Sequence, residues 1–288
     1  MSLRYEQAKI IDGIYKEFLG RGADADGIRY HLGFFSELGL YRGTQKSIQI
    51  LMNSDEFQEN KAHKNKIKID NGHKLINGNP VSHLVSLGSH CLPAIVLRKY
   101  GLKRETTPFD WCYAPPSMVT HCIDDNFETL LNKDNIISVM DGRKSVNRHY
   151  WPESVHHNFP HHDLNRADDY ERFKRYVSRF NSILDSKESK LFLIVTRKMY
   201  DLEGNFEKLK SSIRNRTSNF KLIGVQLGND EEMENKFSMQ TISYDEYGDL
   251  YRFNSRSLEE GRGEYELTSD EIILLSLITD YRLELQTC

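Results

Sequence analysis

The sequence predicts an α/β protein: a central, mostly parallel sheet flanked by helices, preceded by a small all-helical N-terminal domain. Three observations carry this expectation. Short apolar runs ("HLVSLG", "KLFLIVTRK", "FKLIGVQLG") recur after residue 81 and have the length and composition of strands buried on both faces. Helical patterns lie between them, and strand alternating with helix is the signature of a layered α/β domain. Before residue 62 no strand pattern occurs, and apolar residues recur at helical spacing instead.

Taken in order, "YEQAKIIDGIYKEFL" places Ala8, Ile11, Ile14, Tyr15, Phe18 and Leu19 on one helical face. "GRGADADG" interrupts it. "IRYHLGFFSELG" and "TQKSIQILMNSDEF" predict two further helices, with a cap signal at Asn53-Ser54-Asp55 opening a short last one. The polar, lysine-rich stretch 63–80 ends in Gly-Asn-Pro and is expected to be a linker. The expected organisation is therefore a helical domain over 1–62, a linker over 63–80 and an α/β domain over 81–288. Within the last, "LPAIVLRKYG", "PSMVTHCIDDNFETLLN", "ADDYERFKRYVSRFNSILDS", "NFEKLKSSIRNR" and "LTSDEIILLSLITDYRLEL" predict the helices.

Composition narrows the function classes. The net charge is −3 over 288 residues, which disfavours nucleic acid as the main partner. No apolar run approaches the ~20 residues of a membrane span, and the start lacks the order of a secretion signal. Four scattered cysteines (Cys91, Cys112, Cys122, Cys288) fit reduced thiols in a cytoplasmic protein better than a disulfide framework or a zinc motif. No cofactor is expected.

The stretch "VSLGSHCLPAIVLRKYG" holds the sharpest chemical signal. It drives an apolar strand through Gly88, Ser89 and His90 into Cys91 and at once into a helix. Unpaired N–H groups and the positive end of a helix stabilise a thiolate placed there. Pro93 suits a first helical turn because its missing N–H has no intrahelical acceptor. Cys91 is thus the candidate nucleophile, with the turn Gly88-Ser89-His90 as a candidate oxyanion site. Ser89 competes, since strand-Gly-Ser-helix also opens serine esterases. Those enzymes draw their base from near the C-terminus, and here no histidine follows His162.

The base must come from the histidines at or before that residue. "HHNFPHHD" supplies His156, His157, His161 and His162. His157 and His161 have i,i+4 spacing, but Pro160 between them opposes a helix, so a metal site is not expected. An orienting carboxylate would be Asp110 or Asp163. Adjacent side chains in extended chain point opposite ways, which favours Asp110 and leaves Asp163 as a loop cap. Arg172, Arg175 and Arg179 share one helical face and are candidates for anion capture.

Two resemblances add to this reading. "FLGRGADADGIRYHL" and "MNSDEF" resemble a small helical domain of unknown function from bacterial proteins, several of them linked to surface polysaccharides. "VSLGSHCLPAIVLRKYGL", "TTPFDWCYAPPSMV", "FPHHDL" and "YERFKRYVSRFNSILDSKESKLFLIVTRK" resemble the bacterial family of papain-like cysteine peptidases. That family shows Ser-Leu-Gly-x-x-Cys, Pro-Phe-Asp-Trp, a His-Asp pair and an arginine-rich helix leading to a strand. The resemblance implies a site of Cys91, His162 (aligned with the family's histidine) and Asp110, with Trp111, His161 and Asp163 close by. The helix departs from the family in its sparser arginines, and the last quarter matches loosely. The implied partner is a peptide, glycan or other acyl-bearing substrate. An esterase or acyltransferase on surface polysaccharide, using Ser89 or Cys91, and a non-catalytic glycan- or scaffold-binding protein are the alternative expectations.

Overall fold

The computed structural model describes residues 3–19, 21–57, 69–70, 72–151, 158–228, 238–257, 259–260 and 264–287. The chain forms two compact units, Met1–Ile67 and Lys68–Cys288.

In the first unit, helix α1 (Leu3–Leu19) buries Ile11, Ile14, Tyr15 and Leu19 against Phe35 and Leu51 of α2 (Ala25–Met52). Asp24 caps α2 by accepting from the Gly27 N–H at 2.6 Å, which accounts for the polar turn. The two helices expected after the turn form one kinked element. Gly39 sits at φ 75°, ψ 175° inside it, a left-handed conformation for which glycine carries no side-chain penalty. Ser54 accepts from the Phe57 N–H and so starts the next turn.

The second unit is built on a five-stranded sheet. Strands β3 (His83–Ser86), β6 (Lys190–Arg197), β7 (Phe220–Leu227) and β9 (Gly248–Asn254) run parallel in that spatial order, and β8 (Ser238–Tyr244) closes the far edge antiparallel to β9. Alternation along β6 feeds two separate cores. Phe192 and Ile194 face one, with α4 (Pro116–Asp124), α6 (Ala167–Asp185) and α7 (Leu202–Arg216). Leu191, Leu193 and Val195 face the other, with α3 (Leu92–Lys99) and α8 (Thr268–Thr279). Burial on both faces is why these strands read as unbroken apolar runs. The "PSMVTHCIDDNFETLLN" helix divides into α4 and a short α5 (Glu128–Leu131), because Asn126 and Phe127 take positive φ between them.

A small hairpin, β4 (Ile136–Val139) with β5 (Lys144–Asn147), lies outside this sheet. The strands β8 and β9 and this hairpin were not apparent in the sequence pattern.

Residues 69–70 and 72–80, expected as linker, are part of the second unit. β1 (Ile69–Asp70) pairs with β2 (His73–Lys74), and Lys74 and Val81 bridge to Tyr281 and Leu283 of the C-terminal tail. Lys74 N–H donates to Asp280 O at 2.7 Å, and Arg282 N–H returns to Lys74 O at 3.0 Å. Backbone pairing satisfies these polar residues without an apolar pattern. Residues 68–288 expressed alone are expected to fold, whereas 81–288 lose buried Ile76 and the tail's partner strand. Urea melts should show the shorter fragment less stable by roughly 2–3 kcal/mol or more. Equal midpoints would return the segment to linker status.

Candidate active site

Strand β3 ends at Ser86, and the chain turns through Gly88 at φ +79°. A Cβ at Gly88 would lie 2.9 Å from the Phe109 carbonyl oxygen, so the turn admits only glycine without displacement. The turn is clasped on two sides. Val195 N–H donates to Gly88 O at 3.4 Å and Ala114 N–H donates to Ser89 O at 3.3 Å. Cys91 then forms the N-cap of α3, with Pro93 in the first turn and no side chain capping the helix. The thiol is therefore left to another partner. Its Sγ lies 3.6 Å from Nε2 of His161.

His161 is carried on a loop tied to the hairpin. Ser145 and Phe159 exchange backbone hydrogen bonds, the Ser145 hydroxyl donates to His162 O, and Leu164 N–H donates to the same hydroxyl. Asn158 O accepts from Tyr113 N–H, which joins the loop to the Pro-Phe-Asp-Trp segment. The Trp111 ring meets His161 edge-on, with centroids 6.1 Å apart. Burial, aided by the neighbouring His162 and Lys144, holds the His161 imidazole below its ordinary value. A neutral ring at pH 7 is what accepting a thiol proton requires.

The histidine beside the thiol is thus His161, and not the His162 expected from the sequence. His162 turns the opposite way. Its Nδ1 lies 3.6 Å from Oδ1 of Asp169, and its ring packs near Phe173 and Tyr176 of α6. Burial lowers its affinity for a proton and Asp169 partly restores it. His156 and His157 lie outside the described residues.

Asp110 is not positioned as the partner of a histidine. It is fully buried, accepts from the Thr107 N–H at 2.6 Å, and forms an ion pair with Lys103. Desolvation raises its pKa, against the pull of Lys103 and Thr107. Asp163 caps its own loop, accepting from Ser138 Oγ at 2.8 Å and Asn165 N–H at 3.1 Å. Among the described residues no carboxylate lies within ion-pair distance of His161, so the thiol and imidazole stand as a pair and not a triad.

Ser89 is fully buried, and its hydroxyl donates to Val195 O at 2.9 Å and contacts His90 Nδ1 at 3.3 Å. A hydroxyl enclosed in this way has no path to a substrate. Cys112 and Cys122 are buried, and desolvation raises both thiols, Cys122 to about 12. Cys288 lies outside the described residues. The three arginines of α6 diverge. Arg172 pairs with Asp169, Arg179 bridges Glu105 and Thr106 O, and Arg175 is exposed. No group of three or more metal-ligating side chains occurs among the described residues. No described helix is long and apolar enough to cross a membrane.

Fold and pairing together define an α/β protein with a thiol–imidazole pair at the carboxyl end of its edge strand. The sequence profile of the family described as "Putative papain-like cysteine peptidase (DUF1796)" matches residues 82–227, half of the chain, and the chain belongs to that family. No curated protein and no solved structure matches it.

Proposed function

We propose that the second unit is a cysteine-dependent hydrolase of acyl bonds, peptide bonds being the substrate class the family description suggests, with Cys91 as nucleophile and His161 as base. The reading rests on the 3.6 Å separation of Sγ from Nε2 at the start of a helix. His161 takes the thiol proton, and the thiolate adds to the substrate carbonyl carbon. Negative charge then develops on the carbonyl oxygen, where N–H groups opening α3 can receive it; Pro93 contributes none. Collapse expels the amine or alcohol, which leaves with the proton held by His161. A water deprotonated by the same ring then attacks the thioester, releasing the carboxylic acid and restoring the thiol.

The test is an epoxysuccinyl peptide, which opens on an activated thiolate. Mass spectrometry is expected to find one adduct, on Cys91, and hydrolysis of a fluorogenic peptide mixture should disappear both in the adduct and in Cys91→Ala. Undiminished hydrolysis by Cys91→Ala would refute the assignment.

A further inference from the structure

Of the arginines expected to capture an anion, Arg172 and Arg179 are ion-paired and Arg175 is exposed; a different guanidinium lies on the aromatic ring that meets His161. Arg98 lies seven residues after Cys91 on α3. Seven residues are almost two full turns, so the two share one helical face about 10 Å apart along the axis. Trp111 spans that interval. The Arg98 guanidinium carbon sits 5.1 Å from the Trp111 ring centroid, and the same ring meets His161 at 6.1 Å. Arg98 is exposed and makes no ion pair with a carboxylate among the described residues. The stacking on tryptophan therefore holds the guanidinium on the ring that also meets His161, about two helical turns from the thiol, and leaves its N–H fork open.

The other flank is formed by strand β6. Val195, which clasps Gly88 and Ser89, faces α3, and Arg197 is the next residue on that side of β6. Arg98 is thus the cation that the stacking on Trp111 ties to the Cys91–His161 pair.

From this geometry we infer that Arg98 is a specificity-determining residue that selects a substrate bearing a carboxylate two or three chain units from the bond attacked at Cys91. The spacing follows from the axial separation and ~3.3 Å per extended unit. A planar guanidinium held on an aromatic face matches a carboxylate in bidentate fashion. The inference rests on the role of Cys91 proposed above, and the experiment separates the two.

The probes are 3-maleimidopropionic acid and its primary amide, which differ only in a charge several bonds from the reacting carbon. Addition to Cys91 in the full chain is followed by peptide mass spectrometry, with 2-mercaptoethanol as reference thiol. The wild-type protein is expected to prefer the acid relative to the reference, and Arg98→Gln to reduce that preference about fivefold, as loss of a near-surface charge at this range implies. The amide rate should stay within twofold, and Arg98→Lys should keep part of the preference. An acid-to-amide ratio unchanged in Arg98→Gln would overturn the inference. Equal losses for both probes would also overturn it, since Arg98 would then act only by seating Trp111 on His161. A wild-type Cys91 inert to the neutral amide would instead remove the nucleophile itself, and the inference with it.

Discussion

Replacing His161 with alanine is expected to slow acylation of Cys91 by two to four orders of magnitude, the usual worth of a positioned general base. His162→Ala should cost less than tenfold, because its ring engages Asp169 and the aromatic face of α6. The contrast between adjacent histidines is the informative quantity, since both changes disturb the same loop to a similar degree. Stopped-flow acylation with an activated ester would measure it. The pH profile supplies a second signature. Burial depresses the His161 imidazole from its ordinary value near 6.5. The ring therefore stays neutral until the pH falls below that value, and the acid limb of the rate should lie below about pH 6.5. In His161→Ala that limb should vanish. A profile governed by His162, or equal losses in the two variants, would return the base to the residue chosen from sequence.

Lys103→Met is expected to destabilise the second unit by about 3–5 kcal/mol, among the larger costs of a single change, because it strands Asp110 as an uncompensated buried charge. Lys103 Nζ also donates to Glu105 O at 2.6 Å, so the loop carrying the Pro-Phe-Asp-Trp segment loses two anchors together. The loss should depend on pH in a definite direction. Desolvation already raises the Asp110 pKa, and removing Lys103 raises it further. The folded variant then holds a proton on Asp110 over a pH range where the unfolded chain has released it. Its stability falls as pH climbs from about 4 through the raised value. The deficit should be smallest near pH 4–5 and largest above neutrality in urea titrations. The double variant Lys103→Met/Asp110→Leu should recover most of it. A constant deficit, or none, would mean that the pair contributes no more than an exposed one.

Much of the fold was legible for a physical reason. Strands β3, β6 and β7 are covered on both faces, so their sequences are apolar without interruption, and the amphipathic helices carry the complementary stripe. Strand β8 is not legible in the sequence because it closes the edge of the sheet with half-buried and exposed side chains, none of them buried, and "GDLYRFN" of β9 mixes charge with apolar residues. The stretch around Lys74 and Val81 reads as a linker in sequence because its order comes from main-chain pairing with the tail at Asp280–Glu284. Cys91 could be found because a strand, a turn and a helix start are local features. The choice between His161 and His162 could not, since it depends on Ser145 and Asp169, which hold the loop from opposite sides. Asp110 misled in the same way. Its partner Lys103 precedes it by seven residues in a loop without periodicity, and nothing local reveals that the two are buried together. Asp163, by contrast, obeyed the rule that adjacent side chains diverge; the same rule separates His161 from His162.

The hairpin that carries His161 has a consequence for how activity is lost. Cys91 is anchored to the central sheet through Gly88 and Ser89, whereas His161 hangs from β4 and β5, which form no part of that sheet. The two halves of the reactive pair are therefore held by separate backbone ladders, and the two-stranded one is expected to open first, although Ile136 and Phe159 share the core beneath β6. Mild denaturant or warming should separate thiol from imidazole while the parallel strands are still protected from hydrogen exchange. The Cys91–His161 pair would then come apart on an intact scaffold, and restoring solvent conditions should re-form it by docking one small ribbon, with no need to refold the sheet.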